Sequence, residues 1–462
     1  MTQNNFNFTV WAVLINLTVC LVVIFIRQWA IDENIPFVLI AQSVGILSLL
    51  IIHTYVWIKI GGNDLSLAFV FFLMVFTFNL GKSLLFVFYY EQVDNFFTFF
   101  TVNDSQVVVR AFEYGYVGFL VLSSVMLLSF QNEKVEVAEP SIDQLNAAKF
   151  TGILFLTLSL PAALFDLQLM IVKVMTGGYF AIFSSEQTYG AAGIVKILAF
   201  FLYPSLLLLL VAYKKNHLIL KAIFIFAVSI ALIKLMLGMR LTSLIPFIVF
   251  LSLWDRVIKP LNRKMIYLVA LFLLVFVFPM MSFLRTGQEI TETAEKSSGL
   301  YRIVAEMSDS ISPLVWVMQR VPSQIDFTYG HSLVLALYTA VPNLFWDVHP
   351  AKTGSLALWL VNEVNPWIAE RGGGYGFSIF AEMYINFYWF GMIFLSLFGF
   401  FINKLAIVKQ NPINTAFAFS CFLGFMLWPR GELVTVARFI FWNVGFLWIC
   451  YHVMILIYAR LR

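Results

Sequence analysis

Charge is scarce in this sequence. Asp, Glu, Lys and Arg make up 12% of its 462 residues, about half the ~25% of an average soluble domain. A chain with so little charge and 61% apolar residues cannot clothe a set of water-soluble domains. It has no basic block and no basic patch interleaved with aromatics, so a net charge of +4 gives no reason to expect nucleic acid as a partner. Cysteine is rare too: Cys20, Cys421 and Cys450 all fall in apolar runs, at spacings that suit neither a disulfide framework nor a metal site. The five histidines are scattered and no D-x-D occurs, so neither metal nor cofactor is expected. "GKS" at 81–83 lacks the upstream glycine of a phosphate-binding loop, because Phe76 stands there. The stretch MTQNNFNF has no basic region and no small-residue cleavage site, so the first apolar run is expected to stay in the mature chain.

What the sequence has instead is apolar runs of membrane length, recurring from one end to the other. About twelve spans are predicted: 7–26, 35–58, 65–90, 111–130, 150–174, 193–213, 218–238, 241–254, 265–283, 375–402, 413–429 and 434–458. The expected fold is an all-α polytopic membrane protein, a single helical domain over 1–462. Lysine clusters in the loops 131–149, 214–221, 255–264 and 403–412, which fall on alternate crossings with the tail "ARLR". The positive-inside bias places these loops and both termini in the cytoplasm. The other side then receives one large loop, 284–374, with a further buried or re-entrant helix expected around 331–346.

Arginine departs from this bias. On that topology the cytoplasmic side holds ten Lys and four Arg, whereas the outer half holds six Lys and nine Arg. Arginine's planar fork suits bidentate recognition of phosphate or carboxylate. The span after Arg240, "LTSLIPFIVFLSLW", has 14 residues and covers only ~21 Å of a ~30 Å hydrocarbon core. The span 413–429 ends at Arg430. Both arginines are therefore expected at similar depth near the outer boundary, where lipid phosphates lie. Snorkelling turn residues are the plainer alternative. "LWPRGELVTVARFIFW" (427–442) sets Arg430, Glu432 and Arg438 in one apolar run, and ionisable residues in such runs are functional candidates.

Ser378, Glu382 and Asn386 recur every four residues and share one helical face. Glu382 is expected about two turns inside the outer end of its helix, facing either a wet cavity or a structural partner such as Lys234. "ERGGGYG" (370–376) offers a glycine turn beside Arg371, readable as an anion nest or as a hinge. The large loop is rich in Trp and Tyr, whose flat faces suit sugar rings and whose polar edges equally suit an interface anchor.

Five stretches resemble a known family: "FSSEQTYG" (183–190), "LGMRLTSLIPF" (237–247), "SDSISPLVW" (308–316), "GHSLVLALYTAVPNLFWDVHP" (330–350) and "WPRGELVTVARFIFW" (428–442). They look like the O-antigen and enterobacterial common antigen polymerases, the Wzy-type polymerases of the GT-C class. The match runs over roughly 150–450; residues 1–150 match only in hydropathy. The resemblance implies a metal-independent glycosyltransferase of the bacterial inner membrane with a periplasmic active site. It would take an undecaprenyl-pyrophosphate-linked oligosaccharide in the lipid, work beside a chain-length regulator membrane protein, and extend polysaccharide for lipopolysaccharide. Arg240, Arg430 and Arg438 match the positions that would hold pyrophosphate; Arg285 and Arg302 carry over less directly. Glu382 is the first candidate for accepting the acceptor's proton and Glu306 the second. Trp316, Tyr338 and Arg371 are candidate glycan contacts. An O-antigen ligase acting on lipid A core stays open on this reading, as does a flippase or transporter without chemistry.

Overall fold

A computed structural model describes residues 3–32, 34–89, 105–130, 138–182, 191–280, 299–341, 346–370 and 373–461. All regular elements in these residues are helices. Eleven are long and apolar enough to cross a membrane, and a bent pair, Leu67–Leu80 with Lys82–Phe88, raises the number to twelve. Hydrocarbon offers no partner to backbone N–H and C=O groups, so chains this apolar satisfy them locally as helices.

The spans agree with hydropathy in number and order, but several ends differ. The third span is not one rod: its halves meet at 59° around Gly81, after a π-helical turn over Phe76–Leu80. The eighth span runs over Arg240–Ile258, 19 residues in place of 14, because a π-helical turn carries the helix on through Asp255 and Arg256. It therefore reaches ~28 Å, and shortness does not draw Arg240 inward. The tenth helix begins at Ile379, not 375, since Ser378 accepts from the Ala381 amide as its N-cap. Glu382 thus stands in the first turn of its helix, nearer the end than expected.

Two of the unbroken spans lie in the middle of the bundle. The apolar window of Pro412–Arg430 is 83% buried and that of Ser105–Leu128 72%, against 6% for Arg263–Met280 on the rim. Arg430 therefore terminates the most enclosed of the described spans. Because the chain alternates in direction, the start of Arg240–Ile258, the end of Arg263–Met280, the start of Ile379–Leu405 and the end of Pro412–Arg430 all lie at one end of the bundle. Short helices cover that end: Gly299–Met307, Ser312–Arg320, His331–Tyr338 and Leu356–Val364. The helix expected around 331–346 is present, but as an eight-residue piece too short to cross.

The opposite, lysine-rich end is closed by a salt-bridge cluster. Arg263 grips both oxygens of Asp255, at 2.9 and 2.8 Å, and bonds Asp64 at 2.9 Å. The Leu261 amide and Asn63 also donate to Asp255, so one carboxylate pins the loop after the eighth span to the loop between the second and third.

Candidate functional site

The polar face predicted on the tenth helix is real, and it is sealed. Glu382 is 0% exposed. Its Oε1 accepts from the Ser332 hydroxyl at 2.7 Å, and its Oε2 from the Trp428 indole N–H at 2.6 Å and the Leu433 amide at 2.9 Å. Asn386, one turn on, donates to the Glu382 carbonyl and to Ser332, and accepts from Thr328 at 2.8 Å. This stripe fastens three segments together: the helix His331–Tyr338, the tenth span and the turn that ends Pro412–Arg430. Lys234 takes no part, since its ammonium lies 5.6 Å from the centre of the Tyr203 ring.

The turn that Glu382 holds carries Arg430. Trp428–Arg430 is a single 3-10 turn, and Glu382 clamps residues on both sides of it. The Asn79 amide donates to the Pro429 carbonyl at 2.9 Å, from the break in the third span. The Phe377 amide donates to the Arg430 carbonyl at 3.4 Å. Gly376, at φ +76, lets that chain pass so close that a Cβ would lie 2.6 Å from the Arg430 carbonyl oxygen. The glycine run thus meets the arginine through backbone, and the half-buried guanidinium lies 6.0 Å from the centre of the Phe78 ring.

Glu432 has a different task. It is 6% exposed, and its carboxylate accepts from Ser355 at 2.6 Å and from the Ala357 amide at 3.2 Å. These are the first groups of the helix Leu356–Val364, so Glu432 caps it from a distance in sequence. Burial pushes its carboxyl above the usual carboxylate range, against the pull of the Ser355 hydroxyl. Arg438 follows on the helix Leu433–Phe439 and is exposed.

Arg240 and Glu306, expected in separate roles, meet each other. Arg240 donates to Glu306 at 3.0 Å and to the Phe278 carbonyl at 3.1 Å. It ties the helix Gly299–Met307 to the ends of the eighth and ninth spans. Of the remaining expectations, Trp316 is part of the core: it is 6% exposed, and the Arg320 guanidinium covers its ring at 3.8 Å. Its face is closed to a glycan. Tyr338 is 44% exposed beside Trp346. Arg285, Arg371 and the stretch 183–190 lie outside the described residues, as does the side chain of Arg302.

One cluster escaped the sequence reading. Lys82, from the discarded "GKS", is wholly buried, and its ammonium reaches Asp309 at 2.7 Å. Ser312 donates to the same Asp309 oxygen at 2.7 Å. Asp309 keeps 20% of its side chain exposed. The pair joins the break in the third span to the 3-10 turn Ser308–Ile311. A lysine inside an apolar run was the available signal.

Neither the curated proteins nor the solved structures contain a match. A family model described as "O-antigen polysaccharide polymerase Wzy" matches residues 9–460, nearly the whole length. The chain belongs to the O-antigen polysaccharide polymerase Wzy family.

Proposed function

We propose that this membrane polymerase transfers a glycan from undecaprenyl pyrophosphate to the terminal sugar of another lipid-linked repeat unit, at the periplasmic end of the bundle. In the reaction a hydroxyl oxygen of the acceptor bonds to the donor's anomeric carbon. The bond from that carbon to the pyrophosphate oxygen breaks, and its electron pair leaves on the phosphate. The hydroxyl proton passes to a carboxylate. Negative charge grows on the leaving group, and a preorganised guanidinium stabilises it without reorganising at the moment of reaction.

The observation that carries this reading is the mounting of Arg430. It ends the most enclosed span, and Glu382, Asn79 and Phe377 fix the turn that presents it. Arg438, on the helix that follows, offers a second, exposed guanidinium. Arg240 is committed to Glu306 and anchors the covering helices. Glu382 has both oxygens occupied and no exposed surface, which suits a positioning residue that holds the arginine turn. Asp309 has one oxygen held by Lys82 and Ser312 and part of its side chain open, so it is the better placed acceptor for the proton.

The test is assembly on purified lipid-linked repeat units. Wild-type protein should build a ladder of longer glycans. Arg430→Ala should build none while reaching normal levels in the membrane, and Arg430→Lys should restore little, since a point charge lacks the fork. A ladder from Arg430→Ala, or product found only on lipid A core, refutes the reading.

A further inference from the structure

Among the described residues, the non-glycine residues with positive φ are two tyrosines: Tyr329 at φ 48 and Tyr388 at φ 51. Tyr388 pairs this with ψ −135, a region that belongs almost wholly to glycine. These residues lie 59 apart in sequence but side by side in the fold. Thr328 donates through its amide to the Ile385 carbonyl at 2.9 Å and through its hydroxyl to Asn386 at 2.8 Å, so the turn carrying Tyr329 docks on the segment carrying Tyr388. Phe327 bridges them, with ring centroids 6.4 Å from Tyr329 and 5.6 Å from Tyr388. Tyr384 lies beneath, 5.5 Å from Tyr388. Buried Tyr114 holds the strained peptide by donating to the Tyr388 carbonyl at 2.9 Å.

The strain is avoidable. Glycine at either position would remove it, and the chain uses glycine for a positive φ at the very next residue, Gly330. The side chains at 329 and 388 therefore have a use that outweighs their backbone strain. That use is not packing, since Tyr329 is 81% exposed and Tyr388 46%. Tyrosines that anchor a protein at the lipid interface need no such backbone. Asp326 and His331 are exposed on the same turn. Flat rings with hydroxyl edges, flanked by a carboxylate and an imidazole, match the apolar faces and hydroxyl rims of sugar rings.

We propose that Tyr329 and Tyr388, on the Phe327/Tyr384 base, form a shelf on which sugar rings of the lipid-linked glycan stack. This rests on the polymerase reading and names the part of the substrate that the shelf grips. The shelf lies at the far end of the helix Ile379–Phe387 from the Arg430 turn, ~13 Å along its axis.

The experiment uses full-length protein in nanodiscs with two probes: repeat units on undecaprenyl pyrophosphate from cells lacking the polymerase, and undecaprenyl pyrophosphate without sugar. Tyr329→Gly and Tyr388→Gly should each weaken the glycan-bearing probe by about 2- to 12-fold, taking the scale of one aromatic stack. Binding of the bare carrier should not change. Thermal stability should hold or rise, because the strain is gone. Unchanged glycan binding in both glycine variants overturns the shelf. Equal loss of both probes overturns it in favour of a lipid contact, and a large fall in melting temperature in favour of a structural role. Wild-type protein that binds neither probe refutes the polymerase reading itself, a pattern distinct from the others.

Discussion

Replacing Glu382 by glutamine keeps the side chain's shape and removes its charge. The native carboxylate accepts three hydrogen bonds, from Ser332, Trp428 and Leu433, at 2.7, 2.6 and 2.9 Å. Glutamine can set its carbonyl oxygen on the Trp428 and Leu433 donors and turn its NH2 toward Ser332, whose hydroxyl rotates to accept. All three charge-assisted bonds then become neutral ones, each roughly 1 kcal/mol weaker, for a loss of about 3 kcal/mol. Alanine leaves the buried indole N–H and the Leu433 amide without partners, at ~1–3 kcal/mol each, and opens a cavity as well. The loss there is about 3–8 kcal/mol, a large share of a typical ~5–15 kcal/mol of folding stability. Glu382→Gln should therefore reach the membrane, melt lower in detergent, and still make polymer of normal length at reduced yield. Glu382→Ala should fail to accumulate. Immunoblots of membranes, glycan ladders and thermal unfolding read these outcomes. A glutamine variant with wild-type level and melting temperature but no polymer would refute the positioning role. The carboxylate would then be the proton acceptor that the sequence first suggested.

Lys82→Met strands Asp309 in a partly buried place and should destabilise by about 2–4 kcal/mol. Adding Asp309→Asn should recover part of that, and simple additivity in the thermal double-mutant cycle would show that the pair does not couple. Arg240→Glu with Glu306→Arg reverses an ion pair of 3.0 Å and should preserve both fold and polymer if the pair is an anchor; a folded, inactive double variant would instead assign Arg240 to the phosphate. Glu432 has a folded-state carboxyl raised above its ordinary 4.5 by burial, so the stability it contributes is full below that value and is lost as pH rises through the folded one. Melting temperature should fall from mildly acidic toward neutral pH, and Glu432→Gln should flatten that slope.

The membrane spans were legible because lipid makes each helix solve its backbone hydrogen bonding alone. Hydropathy reports such a local requirement, and all twelve runs reappear in order. The face shared by Ser378, Glu382 and Asn386 was legible from helical period for the same reason. The breaks were less so: the π-helical turns at Phe76–Leu80 and Trp254–Ile258 change a helix's course or length without interrupting its apolar composition. Roles depended on neighbours far along the chain. Glu382 meets donors 50, 46 and 51 residues away, Lys82 meets Asp309 across 227, and Arg240 meets Glu306 across 66. Trp316, read as open to sugar, lies under a guanidinium inside the core, while Tyr388, on a strained turn within an apolar span, is the ring left uncovered. Sequence periodicity states which face of a helix is polar. Which groups that face meets is decided when the spans pack, because hydrogen bonds act over about 3 Å of space with no regard to distance along the chain.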